Sequence, residues 1–237
     1  MTTPEGWHSY HRTMARKPIP DESGDSKSQR TRARILDAAA HILSVKGYAG
    51  TRLADVADYA ELQAPAIYYY FPSREDLIEE VMYCGISDMR RHLQQVLDQL
   101  PPETSSMDRI MAAVSAHLRH ELELSDYARA SIHNSGQVPE QLRTRQTKEA
   151  TAYNRIWRGL ISNALSDGQI REDLDLPVAL ALLLGALNWA VEWWDPRRSS
   201  VESMVANAQV FARHSLSPVA LPVKQRGRRR PKSPAPR

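Results

Sequence analysis

KGYAGTRLADVADYAELQAPAIYYYFPSREDL, residues 46–77, is the stretch on which the fold turns. It holds two short helical patterns separated by a four-residue turn and closed by a proline. Leu53, Val56 and Ala57 share one face of the first, over Arg52–Tyr59, and Thr51 stands at the position of its N-cap. Ala60-Glu61-Leu62-Gln63 is the turn. The second pattern runs Ala64–Tyr70, with Pro65 in the first turn, where a missing N–H is harmless. Pro72 then breaks the chain, and Ser73 with Asp76 three residues on signals the start of a long helix to about Leu97. Upstream, Ile35, Ala39, Ile42 and Leu43 recur at helical spacing over about Ser28 to Lys46, and Gly47 is placed to end that helix with a left-handed cap.

Beyond Leu97 nearly everything reads as helix. Met107–Leu124 carries Ile110, Met111, Val114 and Leu118 on one face, and Asp126–His133 follows as a short segment. Pro139 opens a long helix that stops at Asp167-Gly168, and Pro177 opens an apolar one that runs to Trp194. Ser199 is the expected cap of a last helix reaching Leu216. Alternating strand patterns and hairpin turns are missing, so the expected fold is all-α, a three-helix N-terminal helix-turn-helix head on a C-terminal helical bundle. The expected division is a disordered polar arm over 1–27, the head over 28–88, the bundle over 89–216 and a disordered basic tail over 217–237.

The bulk properties narrow the class. The 237 residues allow one large or two modest domains with a real core. Cys84 is the lone cysteine, which excludes an intrachain disulfide and fits a reducing compartment; a buried, inert thiol is the simpler reading of it. No apolar run looks long enough to cross a bilayer, at roughly 18 residues, and the start of the chain has no secretory h-region, so the expected location is the cytoplasm. The net charge is +3, yet 217–237 holds seven basic residues and no acidic one, which leaves −4 for residues 1–216. The overall basic balance is therefore a property of the tail and is no proof of nucleic-acid binding. A Gly-rich phosphate loop, a nucleophile elbow and a carboxylate pair are all missing, so neither an enzyme nor a cofactor is expected.

Arg34-Ile35-Leu36-Asp37-Ala38-Ala39, Lys46-Gly47-Tyr48, Thr51-Arg52, Asp55-Val56-Ala57, Ile67-Tyr68-Tyr69-Tyr70-Phe71 and Ser73-Arg74-Glu75-Asp76-Leu77 closely resemble the N-terminal domain of the TetR/AcrR family of regulators. The likeness runs from about Ser28 to Val81 without a gap. It implies a DNA-reading head on a ligand-binding body, a dimer, and in most members repression. Within that frame Thr51 directs the amides of its helix toward a phosphate and Arg52 brings a cation to the DNA. Gln63, Ala64, Pro65 and Ala66 let the second short helix enter the major groove, Tyr68 and Tyr69 reach phosphates or base edges, and Ile67, Tyr70 and Phe71 pack inward. Arg74 resembles the family lysine that anchors phosphate, and Arg30 and Arg32 are placed to reach an adjacent groove. Taken alone, the tyrosine run reads equally well as core or interface packing and as a DNA-facing surface.

Two residues depart from the family pattern. Glu61 stands where the turn usually has Gly, which points to a positive φ at a cost of about 1 kcal/mol. Gln63 replaces the usual Ser or Thr cap. The head is only mildly basic, with six Lys/Arg against five Asp/Glu between Ser28 and Glu75.

A second likeness spans about thirty residues, carried by Gly168–Leu176 and Gly185–Pro196, and is to the bodies of TetR-type regulators of lipid and steroid catabolism in actinobacteria, several of which bind CoA thioesters. It implies a small apolar or acyl-CoA-like effector. Met111, Val114, Tyr127, Tyr153 and Trp157 are candidate lining, with ordinary core packing as the competing role for each. Arg143, Arg145 and Lys148 read either as contacts to an acidic ligand or as a solvated face. Leu182, Ala186, Trp189 and Trp193 form one helical stripe that, with Met204, Ala208 and Phe211, suits a four-helix homodimer interface; the alternative is that the tryptophans fill the monomer core. His117, His120 and Glu121 lie on adjacent turns, but without a His-Glu-x-x-His pattern they read as surface or core-edge residues, and no metal is expected. Arg226-Gly227-Arg228-Arg229-Arg230-Pro231-Lys232 resembles minor-groove motifs, or serves only solubility. The functional expectation is a ligand-responsive regulator released from a palindromic duplex-DNA operator. The alternative is an effector-independent architectural DNA binder relying on its tail.

Overall fold

A computed structural model describes residues 27–218. The disorder expected of the arm and the tail, and the minor-groove motif, lie outside these residues apart from Lys27 and the Ser217–Pro218 edge. Among the described residues the protein is all-α, without a strand. Helix α1 spans Lys27–Gly50, α2 Leu53–Tyr59, α3 Ala64–Tyr70 and α4 Arg74–Asp98. Helix α5, Ser106–Arg119, runs into a π-helical turn, His120–Leu124, and α6 follows at Asp126–Asn134. A 3-10 turn, Glu140–Arg143, leads to α7 at Thr144–Ser166, and α8 (Leu176–Asn188), α9 (Ala190–Trp193) and α10 (Val201–Leu216) complete the chain.

Local chemistry accounts for most boundaries. Gly47 takes φ 68°, the left-handed conformation expected of it, and kinks α1 before its last turn. Ser73 accepts a hydrogen bond from the Asp76 amide, and Ser105, Ser125 and Asp175 cap α5, α6 and α8 in the same way. The last helix is capped by Ser200, which accepts from the Ser203 amide, one residue beyond the expected Ser199. Glu61 adopts φ 53°, as the missing turn glycine foretells. The expected helix to Trp194 breaks at Trp189, into α8 and the single turn of α9.

One expectation needs correction. Residues Leu176–Trp193 make an 18-residue stretch of mean hydropathy 1.5, long and apolar enough by composition to cross a membrane. Gly185, Asn188 and Glu192 interrupt its apolar run. Only 28% of it is buried within the monomer.

Two apolar clusters organise the protein. The head cluster joins Ile35, Ala39 and Leu43 of α1 to Val56, Ile67, Phe71, Leu77 and Val81, and it takes in Ala130 of α6 and Val138. The body cluster is built from the far half of α4 with α5, α7, α8 and α10 around Trp157, Leu118 and Ile161. Helix α6 is the seam between them, lying against both α1 and α4. Ser131 Oγ donates to Met82 O (3.0 Å), and Asn134 Nδ2 donates to Leu43 O (3.2 Å) while its Oδ1 accepts from the Tyr48 amide (2.7 Å). This approach needs a glycine at position 85 of α4, because a Cβ there would run into the Tyr127 carbonyl and the Ser131 side chain. Gly85→Ala is therefore expected to destabilise the chain by about 1–3 kcal/mol. Urea unfolding will read this as a lower midpoint.

Candidate nucleic-acid interface

Helices α2 and α3 meet through the turn at Glu61, with the Leu62 amide donating to Ala57 O (2.9 Å). Helix α3 is seated by Ile67, fully buried, and by Phe71 at its C-cap. The opposite face is bare. Tyr68 is 57% and Tyr69 81% exposed, and Gln63, Ala64, Pro65 and Arg52 are exposed around them, with Ala66 half-buried. Tyr69 packs edge-on against the half-buried Tyr70, ring centroids 5.0 Å apart. A seven-residue helix that buries one apolar stripe while presenting small residues and two hydroxyl-tipped rings has the shape for a groove about 12 Å wide. Arg52 makes no ion pair among the described residues, and its guanidinium is available to a phosphate.

Several expected contacts are taken up inside the protein. Thr51 is 2% exposed and does not cap α2; the N-cap position belongs to Arg52, and Thr51 Oγ1 donates to Gly47 O (2.8 Å), tying off the end of α1. Arg74 does not reach outward for phosphate. Its Nε donates to Thr51 O (2.7 Å), its terminal nitrogens meet Tyr48 O and Glu75, and the guanidinium lies 4.5 Å over the Tyr48 ring. Arginine has donors enough to hold two carbonyls of the α1–α2 link at once, which explains its capture. Arg32 pairs with Glu80 (3.0 Å) and covers the Phe71 ring, so it braces α1 against α4; Arg30 is exposed on the same helix. Gln63 sits at the N-cap of α3 without making a side-chain cap bond.

The body residues also separate. Met111, Val114, Tyr153 and Trp157 meet in the body core, all buried. Tyr127 does not join them. It donates to Asp37 Oδ1 (2.8 Å) and lines a hollow of about 320 Å³ between α1, α4 and α6, with Cys84 and Asp88. Burial pushes the Cys84 thiol up to about 11, which makes it inert. Of the basic run on α7, Arg145 pairs with Glu80 (2.7 Å) over the Tyr83 ring. Leu182, Ala186, Trp189, Trp193 and Phe211 are all exposed, Leu182 to 71% and Trp189 to 63%, whereas Met204 and Ala208 are half-buried against the body core. Core filling by Trp189 and Trp193 is thus excluded within the monomer.

His117, His120 and Glu121, expected at the surface or a core edge, lie in the interior: all three are buried, and Glu121 is fully so. His117 on the inner face of α5 and Glu121 in the π-helical turn that follows are four residues apart, in line with Ala113 and Ile110. His133 of α6 completes the group, with Nε2 4.0 Å from Glu121. Among the described residues no set of three or more such side chains is arranged to hold a metal ion.

The comparisons with known proteins agree with this geometry. Residues 35–81 match the model "Bacterial regulatory proteins, tetR family", and residues 103–212 match "Tetracyclin repressor-like, C-terminal domain". The chain is 25% identical over 198 residues to the HTH-type transcriptional repressor KstR2 of Rhodococcus jostii, covering 81% of this chain and 92% of that one. It is 21% identical to the fatty acid metabolism regulator protein of Bacillus subtilis, covering 68% and 81%. Among solved structures it resembles AibR in complex with isovaleryl coenzyme A and operator DNA, with TM-score 0.69, 18% identity, and 76% and 97% of the two chains covered.

Three substitutions test the assignment. Arg52→Ala is expected to weaken DNA binding and lower the salt slope by about 1, as one phosphate contact is lost. Tyr69→Ala is expected to weaken binding at unchanged thermal stability. Arg74→Ala is expected to lower the melting temperature, because two carbonyls lose their donor; salt-dependent anisotropy titrations beside melting curves separate these outcomes. In the body, burial pulls His120 down to about 4. A histidine whose folded pKa lies below its unfolded value, near 6.5, costs stability as pH falls from about 6.5 toward 4, where the unfolded chain takes the proton first. Melting temperatures are expected to decline over that window, and less so in His120→Phe.

Two buried stripes, a strained turn and a bare recognition helix thus come together with matches across both halves of the sequence: the chain belongs to the tetR family of bacterial regulatory proteins, as a helix-turn-helix DNA-binding transcriptional regulator.

Proposed function

We propose that the chain is a ligand-responsive repressor that binds a palindromic operator as a homodimer and is released by a small apolar or acyl-CoA-like effector held in its body. The observation that carries the reading is the exposure of two separate surfaces: Tyr68 and Tyr69 on α3, and the apolar stripe of α8 and α9. Large exposed apolar stripes mark interaction surfaces, and tryptophans are favoured at interface centres. Placing Leu182, Ala186, Trp189 and Trp193 against the same face of a second copy, with Phe211 of α10 beside them, covers these exposed apolar side chains and pairs two heads. Nothing lies within 4 Å of where a Cβ at Gly185 would point, which leaves room for a close helix crossing. Two heads reading successive major grooves must sit about 34 Å apart, so any change in the body that alters this spacing alters affinity.

The proposed division of labour is a head over 28–88 and an effector-binding and dimerising body over 89–216, with Ala130 and Val138 of the body reaching into the head cluster and Ile86 of the head into the body cluster. Effector chemistry is suggested by the relatives: a KstR2 repressor, a fatty acid metabolism regulator, and a structure of AibR with isovaleryl coenzyme A. Met111, Val114, Tyr153 and Trp157 are the residues proposed to face the apolar part of such a ligand.

Two measurements test the proposal. Footprinting on the DNA upstream of its own gene is expected to show a protected palindrome; protection without two-fold symmetry, or none, would refute the operator reading. Trp189→Glu is expected to convert the dimer to monomers in sedimentation velocity and to reduce operator affinity by tenfold or more, since each head then binds alone. A dimer that survives the substitution places the interface elsewhere.

A further inference from the structure

Neither DNA contact nor dimerisation uses the most unusual group in the body. Glu121 lies in the π-helical turn His120–Leu124, fully buried, and neither of its carboxylate oxygens finds a hydrogen-bond partner among the described residues. His117 Nε2 stands 3.5 Å from one oxygen and His133 Nε2 stands 4.0 Å from the other. Both of those ring nitrogens also go without a hydrogen bond. Their opposite nitrogens are engaged: His117 Nδ1 meets the Tyr153 hydroxyl at 2.7 Å, and His133 Nδ1 meets Glu192 Oε1 at 3.1 Å.

The tautomers follow from the partners. Glu192 can only accept, so the His133 ring carries a proton on Nδ1, and its Nε2 faces Glu121. That nitrogen and the Glu121 oxygen lie 4.0 Å apart, too far for a hydrogen bond between them. If the Tyr153 hydroxyl donates to His117 Nδ1, His117 carries its proton on Nε2, beside the other carboxylate oxygen but beyond good hydrogen-bonding range. Packing alone has no need of this arrangement, because the rest of the inner face of α5 is Ile110, Met111, Val114 and Leu118. A buried carboxylate without hydrogen bonds is costly, and π-turns inside helices occur mostly at functional positions.

We propose that Glu121, His117 and His133 form the subsite for a hydrogen-bond donor on the effector, a hydroxyl or a protonated amine. A hydroxyl seated there donates to Glu121 and accepts from His117 Nε2–H, and a protonated amine donates to Glu121 and to His133 Nε2. A carboxylate in the same place meets the like charge of Glu121 and is rejected. The subsite deepens the reading of the body as the effector site and rests on it. It specifies the buried end of the ligand, whatever its other end carries.

The test uses the full-length chain. Without added ligand, Glu121→Leu is expected to raise the melting temperature by about 3 °C, since a binding group kept at the expense of stability is removed. A melting temperature that falls or stays the same makes Glu121 a structural group and overturns the proposal. A second measurement compares 1-octanol, octylamine and octanoate as probes. The alcohol and the amine are expected to stabilise the natural chain more than octanoate does, and this difference is expected to vanish in Glu121→Leu. Equal stabilisation by octanoate defeats the donor subsite and leaves the body as an effector site. No shift with any probe counts against the body reading itself, and the subsite falls with it.

Discussion

The close approach of α6 to α4 at Gly85 governs how the head is held. Helix α6 lies there because residue 85 has no side chain, and the distances this allows let Ser131, Tyr127 and Asn134 bond to the backbone and side chains of the head. Asp126, at the start of the same helix, meets His41 of α1 at 3.1 Å, so both ends of α6 are fastened to α1. Every one of these bonds joins residues more than forty positions apart in the chain. The head is thus no independent bead on a linker. Its apolar cluster takes in Ala130 of α6, so its orientation follows that helix.

That attachment gives the polar cluster of the body a mechanical address. The π-helical turn ends at Leu124, Ser125 caps α6, and His133, the residue facing Glu121, lies on α6 beside Asn134. Arg129 of α6 also reaches the Glu121 carbonyl at 3.5 Å. A ligand group inserted between Glu121 and His133 therefore pushes on the helix that carries α1. Helix α4 offers a second route, since it runs from the head into the body core in one piece, but it is gripped by α7 and α5 along its far half. The short α6 is the lighter lever.

Much of the architecture was legible in the residues. Pro65, Gln63 and the apolar Ile67 define α3 to the residue, and the lack of a turn glycine announces the positive φ of Glu61. Local rules suffice wherever a cap, a proline or a period sets the structure. They fail where a long-range partner competes. Arg74 and Arg32 look like DNA contacts because a basic residue beside a recognition helix is expected to face phosphate, yet Thr51 O, Tyr48 O and Glu80 claim them first. Tyr127 looks like pocket lining because its helix is amphipathic, but which side of α6 meets the head depends on Gly85, forty residues earlier. Glu121 and His117 fit a surface or a core edge by their polarity, and the packing of α6 and α7 around them makes them interior.

Energetics decide what kind of effector such a body needs. Moving a two-state protein from 1:99 to 99:1 requires about 5.5 kcal/mol of differential binding. A hydrogen bond to a buried charged group contributes roughly 1.5–3 kcal/mol. The Glu121 contact alone therefore leaves about 3 kcal/mol to be found. At about 25 cal/mol per Å² of apolar surface, that remainder corresponds to roughly 120 Å² buried in one state and not in the other. Trp157, Met111 and Val114, beside the polar cluster, are the surfaces able to supply it, at the cost of opening a core that is closed in this structure. A purely polar ligand satisfies the carboxylate without moving the equilibrium far enough. A purely apolar one must open the same core while leaving Glu121 unmet. The combination that matches the proposed subsite is an apolar skeleton ending in a single hydrogen-bond donor.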